Sequence, residues 1–502
     1  MSAGWRRFSP RAAPAACAVE KTNPLWRPAK ENKDVASRRQ SILRTTQAAA
    51  LEFCKAKPIR PSASRRIAKR SQQRCASPAG PPNEPNGPHP DFAKQSQPAR
   101  GIAEPLPNEP TAPICPSSTS HFLDFWLPAL IQFPLRIDQI VLTHVRIPLV
   151  EPFRISSGAV SEKDGIVVEL RSEGLSGYGE SSPMAGSFYS SDTPEKSWTE
   201  LCAVIGPAIV GREFGCAEQW NQTLDPLPAG KFTKTGVETA LWDLAAQREG
   251  KPLHLALGGV RSGVESGLAV GLYNDTADML RVIERHLADG YRRVKLKIEP
   301  GHDVEIVRAA RQAFGEIPMF VDANGAYGLE HLDTFRRLDD FGLMMFEQPF
   351  PGPALEELAT LQREVRTPVC LDESLESAEM LQRAIELGSL RIANFKIQRV
   401  GGFHRALEMV RICRENSIPA WAGTMPELGI GQAQGAALAS LAEFVYPTDV
   451  EASRRWFQDD IVAPFIEVKD GEIELPQAPG LGYAVDESKL RKYRVAEFRL
   501  PD

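Results

Sequence analysis

Lys297, Asp322, Glu347, Asp372 and Lys396 follow one another at intervals of 25, 25, 25 and 24 residues. Three carboxylates brought together without a cation repel one another and raise each other's pKa, so a hard divalent metal is their natural companion. With oxygen donors alone, and positions left for substrate and water, Mg2+ is the first expectation, with Mn2+ able to replace it. A lysine on either side of a metal-bound substrate suggests proton transfer. An ammonium beside a divalent cation and a second ammonium has its charged form disfavoured, which makes a usable base. Such a site could remove a proton next to a carboxylate while the metal holds the resulting enediolate. Any one of these acids alone would pass for a helix cap or a solvated loop charge; five at a fixed period do not.

Each of the five ends or nearly ends a short apolar run, at 294–298, 318–322, 343–347, 368–372 and 392–396. Runs of this length and β-branched content suit buried parallel strands, and helical periodicity follows each one, so the repeat predicts one strand and one helix per step. Successive β/α units of this size close into a barrel. The C-terminal strand ends of such a barrel converge on one mouth, so charges distant in sequence meet there.

Lys295-Leu296-Lys297, Val321-Asp322-Ala323-Asn324, Phe346-Glu347-Gln348-Pro349 and Leu371-Asp372-Glu373-Ser374 resemble the signature strands of the enolase superfamily, in its muconate-lactonizing-enzyme subgroup. Lys396 and the segment 423–431 continue the resemblance, which covers about seven-tenths of the chain, from Ile137 to Tyr493. It implies an α/β fold, a modified TIM barrel of (β/α)7β form at 256–472, with an α+β capping domain at 135–255 completed by about 473–502. It further implies that Asp322, Glu347 and Asp372 bind Mg2+, that Lys297 and Lys396 face opposite sides of the substrate, and that Lys295 helps make Lys297 a base. A homo-oligomer acting on a small carboxylate is the corresponding expectation for its partners.

The first 134 residues differ in kind from the rest. They hold 20 of the 41 prolines and carry 20 Lys and Arg against 9 Asp and Glu, a formal +11, whereas the remaining 368 carry 39 against 55, or −16. That step marks a boundary, and the basic stretch shows no pattern that would bury a core. Disorder, an organelle-targeting arm, or a start assigned too early in the reading frame remain open, since no Met lies between Met1 and Met184. The apolar stretch 122–135 is too short for a membrane span, at about 14 residues against the 20 required. Cys17, Cys54, Cys75 and Cys115 lie in the arm and Cys202, Cys216, Cys370 and Cys413 in the body, none in CxxC spacing, which fits a reducing cytoplasm.

Alternation at 137–148, 153–157 and 165–172 predicts a half-buried antiparallel sheet, followed by a turn at 174–177 and helices at 198–210 and 237–249. Two loops of this cap are candidates for substrate contact: Phe153 and Arg154, with Arg154 suited to pair with a carboxylate, and 184–189, where Phe188 and Tyr189 expose two aromatics. The form Gly-x-Phe-Tyr-Ser there resembles o-succinylbenzoate synthases and the related N-acylamino acid racemases. The expected activity is therefore first that of a hydro-lyase of the o-succinylbenzoate synthase kind, implying menaquinone biosynthesis, with N-acylamino acid racemisation or muconate-type cycloisomerisation as the alternatives and a non-catalytic homologue disfavoured by the intact lysines and carboxylates. In 423–431 the glycines would free backbone N–H groups for a substrate carboxylate, with Thr424, Met425 and Glu427 beside them and Asn324 across the mouth. Thr424 is more like muconate cycloisomerases. No histidine has a partner at metal spacing, and no glycine string of nucleotide-binding form follows a strand, so neither a nucleotide cofactor nor a nucleic acid or membrane partner is expected.

Overall fold

The computed structural model describes residues 134–501, apart from Ser187 and Phe188. The expectations for residues 1–133 and for Phe188 lie outside the described residues. Three strands open this part: β1 (Gln139–Ile155), β2 (Gly158–Ser172) and β3 (Leu175–Ser181). They form an antiparallel sheet, and the C-terminal strand Arg494–Leu500 pairs with the outer side of β1. The strands are longer than the sequence alternation suggested, because β1 runs through an irregularity between Pro148 and Phe153 instead of breaking. The expected turn at 174–177 is also shorter, with strand resuming at Leu175.

Helix α1 (Lys231–Arg248) lies across this sheet. Its start precedes the first clear apolar periodicity by six residues, since its first turn is Lys-Phe-Thr-Lys. The contact explains a sequence feature. Gly177 and Gly179 point to one face of β3, and a Cβ on Gly179 would sit 2.0 Å from the Gly236 carbonyl, one on Gly177 2.3 Å from that of Ala240. Only glycine lets strand and helix backbones approach so closely.

A seven-stranded parallel sheet follows, in sequential order: β4 (Leu268–Val270), β5 (Val294–Lys297), β6 (Met319–Asp322), β7 (Phe346–Glu347), β8 (Val369–Leu371), β9 (Ile392–Phe395) and β10 (Ala420–Ala422). Its two edges are linked through residues 444–448, with parallel bridges from Ala420 to Phe444 and from Ser266 to Thr448. This is the modified barrel with its capping domain. The strands are buried on both faces, the burial pattern of a parallel sheet covered by helices. Amphipathic helices such as Val304–Phe314 and Ala378–Leu387 supply that cover, capped by Asp303 and Ser377. Among the described residues no helix is long and apolar enough to cross a membrane.

Candidate active site

Register alone brings part of the charged set together. Lys297 is opposite Asp322, and Asp322 is opposite Glu347, in adjacent parallel strands. Asp372 and Lys396 stand one residue beyond β8 and β9. All five side chains are buried, as is Lys295. Strand alternation sends Lys295 and Lys297 to the same side of β5, into the barrel.

The contacts divide the carboxylates among the cations. Lys297 donates from Nζ to Asp322 Oδ2 at 2.5 Å and to Asn324 Oδ1 at 2.9 Å. Lys396 donates to Asp372 Oδ2 at 2.7 Å and to the Tyr189 hydroxyl at 3.1 Å. Lys295 Nζ stands between Asp322 Oδ2 at 3.5 Å and Glu347 Oε2 at 3.3 Å, and donates to Asp449. Asn394 Nδ2 donates to Glu347 Oε1 at 2.8 Å, leaving the buried Oε2 with no hydrogen-bond donor. Gln348, at φ 37° just past Glu347, accepts from the Asp372 and Ser374 amides and so fixes one strand end to the next.

Electrostatics follow the pairing. Burial opposes ionisation of Asp322, but Lys297 and Lys295 outweigh it and hold the carboxyl below its usual range. Burial is likewise outweighed at Asp372, by Arg399 and Lys396. Glu347 differs: burial, reinforced by Asp322, pushes it well above the usual value. Burial disfavours the Lys396 ammonium, yet Asp372 and Tyr189 hold its pKa well above that of a free lysine.

No group of three or more His, Cys, Asp or Glu among the described residues encloses a metal ion as the side chains stand. Ammonium groups sit between the carboxylates instead. The donor set itself fits a hard cation: three carboxylates on neighbouring strand ends, one with a raised pKa and a buried oxygen that accepts no hydrogen bond, are what a divalent ion would relieve.

A cavity open to solvent lies above this set. Phe153, Tyr189, Asn324, Thr424 and Met425 line it with Lys295, Lys297 and Lys396, as do Ile155, Met184, Trp456 and Asp449. Two sequence expectations are corrected. Arg154 turns away, its guanidinium donating to Asn274 Oδ1 at 2.7 Å and facing Glu299, because strand alternation points it opposite to Phe153 and Ile155. The amides of Leu428, Gly429 and Gly431 at the helix start are not free for a substrate, since Glu180 accepts from Leu428 and Gly431 and Asp460 from Gly429. Glu427 lies outside the cavity lining and accepts from the Met425 amide at 3.3 Å.

The 25-residue step led past Asp449, Arg293 and Arg399. Continued from Lys396 it falls on Trp421 and Tyr446, neither charged, whereas Asp449 lies three residues beyond and pairs with Lys295 and Arg293. Arg399, one helical turn after Lys396, contacts both Asp372 and Tyr189.

Residues 137–258 match the mandelate racemase / muconate lactonizing enzyme N-terminal domain, and residues 278–489 match the enolase C-terminal domain-like family. The chain belongs to the enolase superfamily. An o-succinylbenzoate synthase of Geobacillus stearothermophilus is 39% identical over 72% of this chain and 96% of its own length. An N-succinylamino acid racemase of Thermus thermophilus is also 39% identical, over 69% of this chain and 94% of its own. Among solved structures, a dipeptide epimerase of Enterococcus faecalis complexed with Mg and the dipeptide L-Leu-L-Tyr superimposes with a TM-score of 0.65 at 26% identity, covering 70% of this chain and 99% of that one. These enolase superfamily relatives therefore span both the capping domain and the barrel.

Proposed function

We propose that this chain is an o-succinylbenzoate synthase, a hydro-lyase that dehydrates a cyclohexadiene carboxylate in menaquinone biosynthesis. The observation that carries the proposal is the placement of Lys297 and Lys396 on one cavity, each bonded to a different carboxylate, together with the synthase relatives. Asp322, Glu347 and Asp372 are the residues that would hold Mg2+, which would stabilise the negative charge building on the substrate carboxylate.

Lys297 removes the proton α to that carboxylate, and Asn324 steers its ammonium once protonated. The same lysine then returns the proton to the departing hydroxide, so water leaves and the ring becomes aromatic. Lys396, held as a cation by Asp372, faces the ring and attracts its electrons. Met184, Met425 and Trp456 keep the cavity apolar and exclude water from the reacting face. Cytoplasmic location and a homo-oligomeric state belong to the same proposal.

N-succinylamino acid racemisation is the second proposal, favoured by the equal identity to the Thermus protein and by the presence of two lysines on the cavity. There Lys297 and Lys396 would each serve one face. Purified protein given the cyclohexadiene carboxylate, and separately N-succinyl amino acids in deuterated water, separates the two. Fast dehydration with slow exchange supports the synthase, and exchange without dehydration makes the protein a racemase.

A further inference from the structure

We propose that Lys163 and Glu180 are positioning residues, whose buried ion pair holds the capping sheet against the two barrel segments that wall the cavity. The inference rests on the cavity being the active site. Neither residue lines it.

Lys163 on β2 is 5% exposed and Glu180 on β3 is fully buried. Lys163 Nζ donates to Ser182 Oγ at 2.5 Å and stands 3.7 Å from Glu180 Oε1. The two Glu180 carboxylate oxygens accept from the Leu428 amide at 3.1 Å and the Gly431 amide at 2.9 Å, at the start of helix α2 (Gly429–Ala439). The Glu180 backbone carbonyl accepts from Gln398 Nε2 at 2.8 Å, and the Ser182 amide donates to Gln398 Oε1 at 3.1 Å. Gln398 lies two residues after Lys396. One short end of a cap strand therefore touches the segment following Lys396 and the segment following Thr424 and Met425. Beyond it the chain continues to Met184 and Tyr189, which line the cavity.

The space leaves no slack. A Cβ on Gly431 would sit 2.8 Å from Glu180 Oε2 and 3.0 Å from Glu427 Oε2, so a second carboxyl converges on the same point. The other charges acting on the group are Asp164 on Lys163 and Lys396 on Glu427. Burial, aided by Glu180, pushes Glu427 up to about 8, so at neutral pH it keeps its proton; burial raises Glu180 too, but Lys163 and the Leu428 and Gly431 amides pull it back, so Glu180 is the carboxylate that faces Lys163 in this group. Removing one partner strands a buried charge among the segments it joins, whereas removing both strands none.

The test compares Lys163→Met, Glu180→Gln and the double variant with wild type. Amide hydrogen exchange over residues 423–431 should accelerate about tenfold or more in each single variant, with strand β5 still protected. KM at pH 8 should rise about tenfold with kcat within about twofold, and in Lys163→Met it should fall back toward wild type as the pH is lowered, because burial favours the protonated form of Glu180 and its protonation removes the stranded charge. The double variant should lie nearer wild type than either single one. Single losses that simply add in the double variant, exchange that quickens equally across the barrel strands, or an unchanged KM would overturn the proposal. So would a double variant that does not fold, while a double that folds where a single does not supports it. If wild type shows neither dehydration nor α-exchange, the assignment of the site fails, and amide exchange then judges the pair alone.

Discussion

Glu347→Gln should make the metal-free protein more stable and the enzyme inactive. The Glu347 carboxyl is wholly buried, one oxygen lacks a hydrogen-bond donor, and burial with Asp322 raises its pKa well above 4.5. A carboxyl that titrates higher folded than unfolded favours folding at low pH and costs stability as pH rises from the unfolded value toward the folded one. The cost grows by about 1.4 kcal/mol per unit above pH 4.5, to a ceiling of about 3 kcal/mol at pH 7. Glutamine keeps the oxygen that accepts from Asn394 and carries no charge to suppress. In chelator at pH 7 the variant should therefore melt up to about 4 °C above wild type, with the gap closing by pH 5. Mg2+ at about 100 times its dissociation constant should add about 2.7 kcal/mol to wild type and little to the variant. Calorimetry from pH 5 to 8, with chelator and with Mg2+, reads all of this. A variant less stable than wild type in chelator, or one stabilised equally by Mg2+, would refute the reasoning.

Exhaustive chelation should abolish turnover of wild type, and Mg2+ or Mn2+ should restore it; full activity without metal removes Asp322, Glu347 and Asp372 from the chemistry. Lys297→Ala should lower dehydration by about 10^3-fold or more, measured as aromatic product formed. Lys396→Ala should block racemisation of both enantiomers yet keep deuterium exchange for the one that Lys297 faces, followed by proton NMR. Gly179→Ala should cost about 3 kcal/mol by denaturant unfolding, because its methyl would lie 2.0 Å from the Gly236 carbonyl. Deleting residues 1–134 should leave activity and melting temperature unchanged, as their composition offers little apolar surface to bury.

The five periodic charged residues at the centre of the site were legible because each sits near the C-terminal end of its own apolar run, and a parallel barrel gathers such ends wherever its strands run together. Strand length and spacing are local properties, so the 25-residue period carried the barrel with it. Arg154 shows the limit. Its type suited a carboxylate, but its direction depends on the parity of a strand that bends between Pro148 and Phe153, and the side chain goes to Asn274 and Glu299. The glycines of 423–431 were expected to leave amides at a helix start free for a substrate carboxylate. What accepts from them is Glu180, some 250 residues earlier in the chain.

By itself, then, the sequence determined the barrel, its family, and the row of lysines and carboxylates at its mouth. Tertiary structure decided the partners: Asp449 for Lys295 across 154 residues, Arg399 for Asp372, and Glu180 for the amides of Leu428 and Gly431. The physical reason is that periodicity reports which face of its own element a side chain occupies, whereas a contact between elements depends on how the barrel closes and how the capping sheet packs on it, and no local pattern encodes those distances.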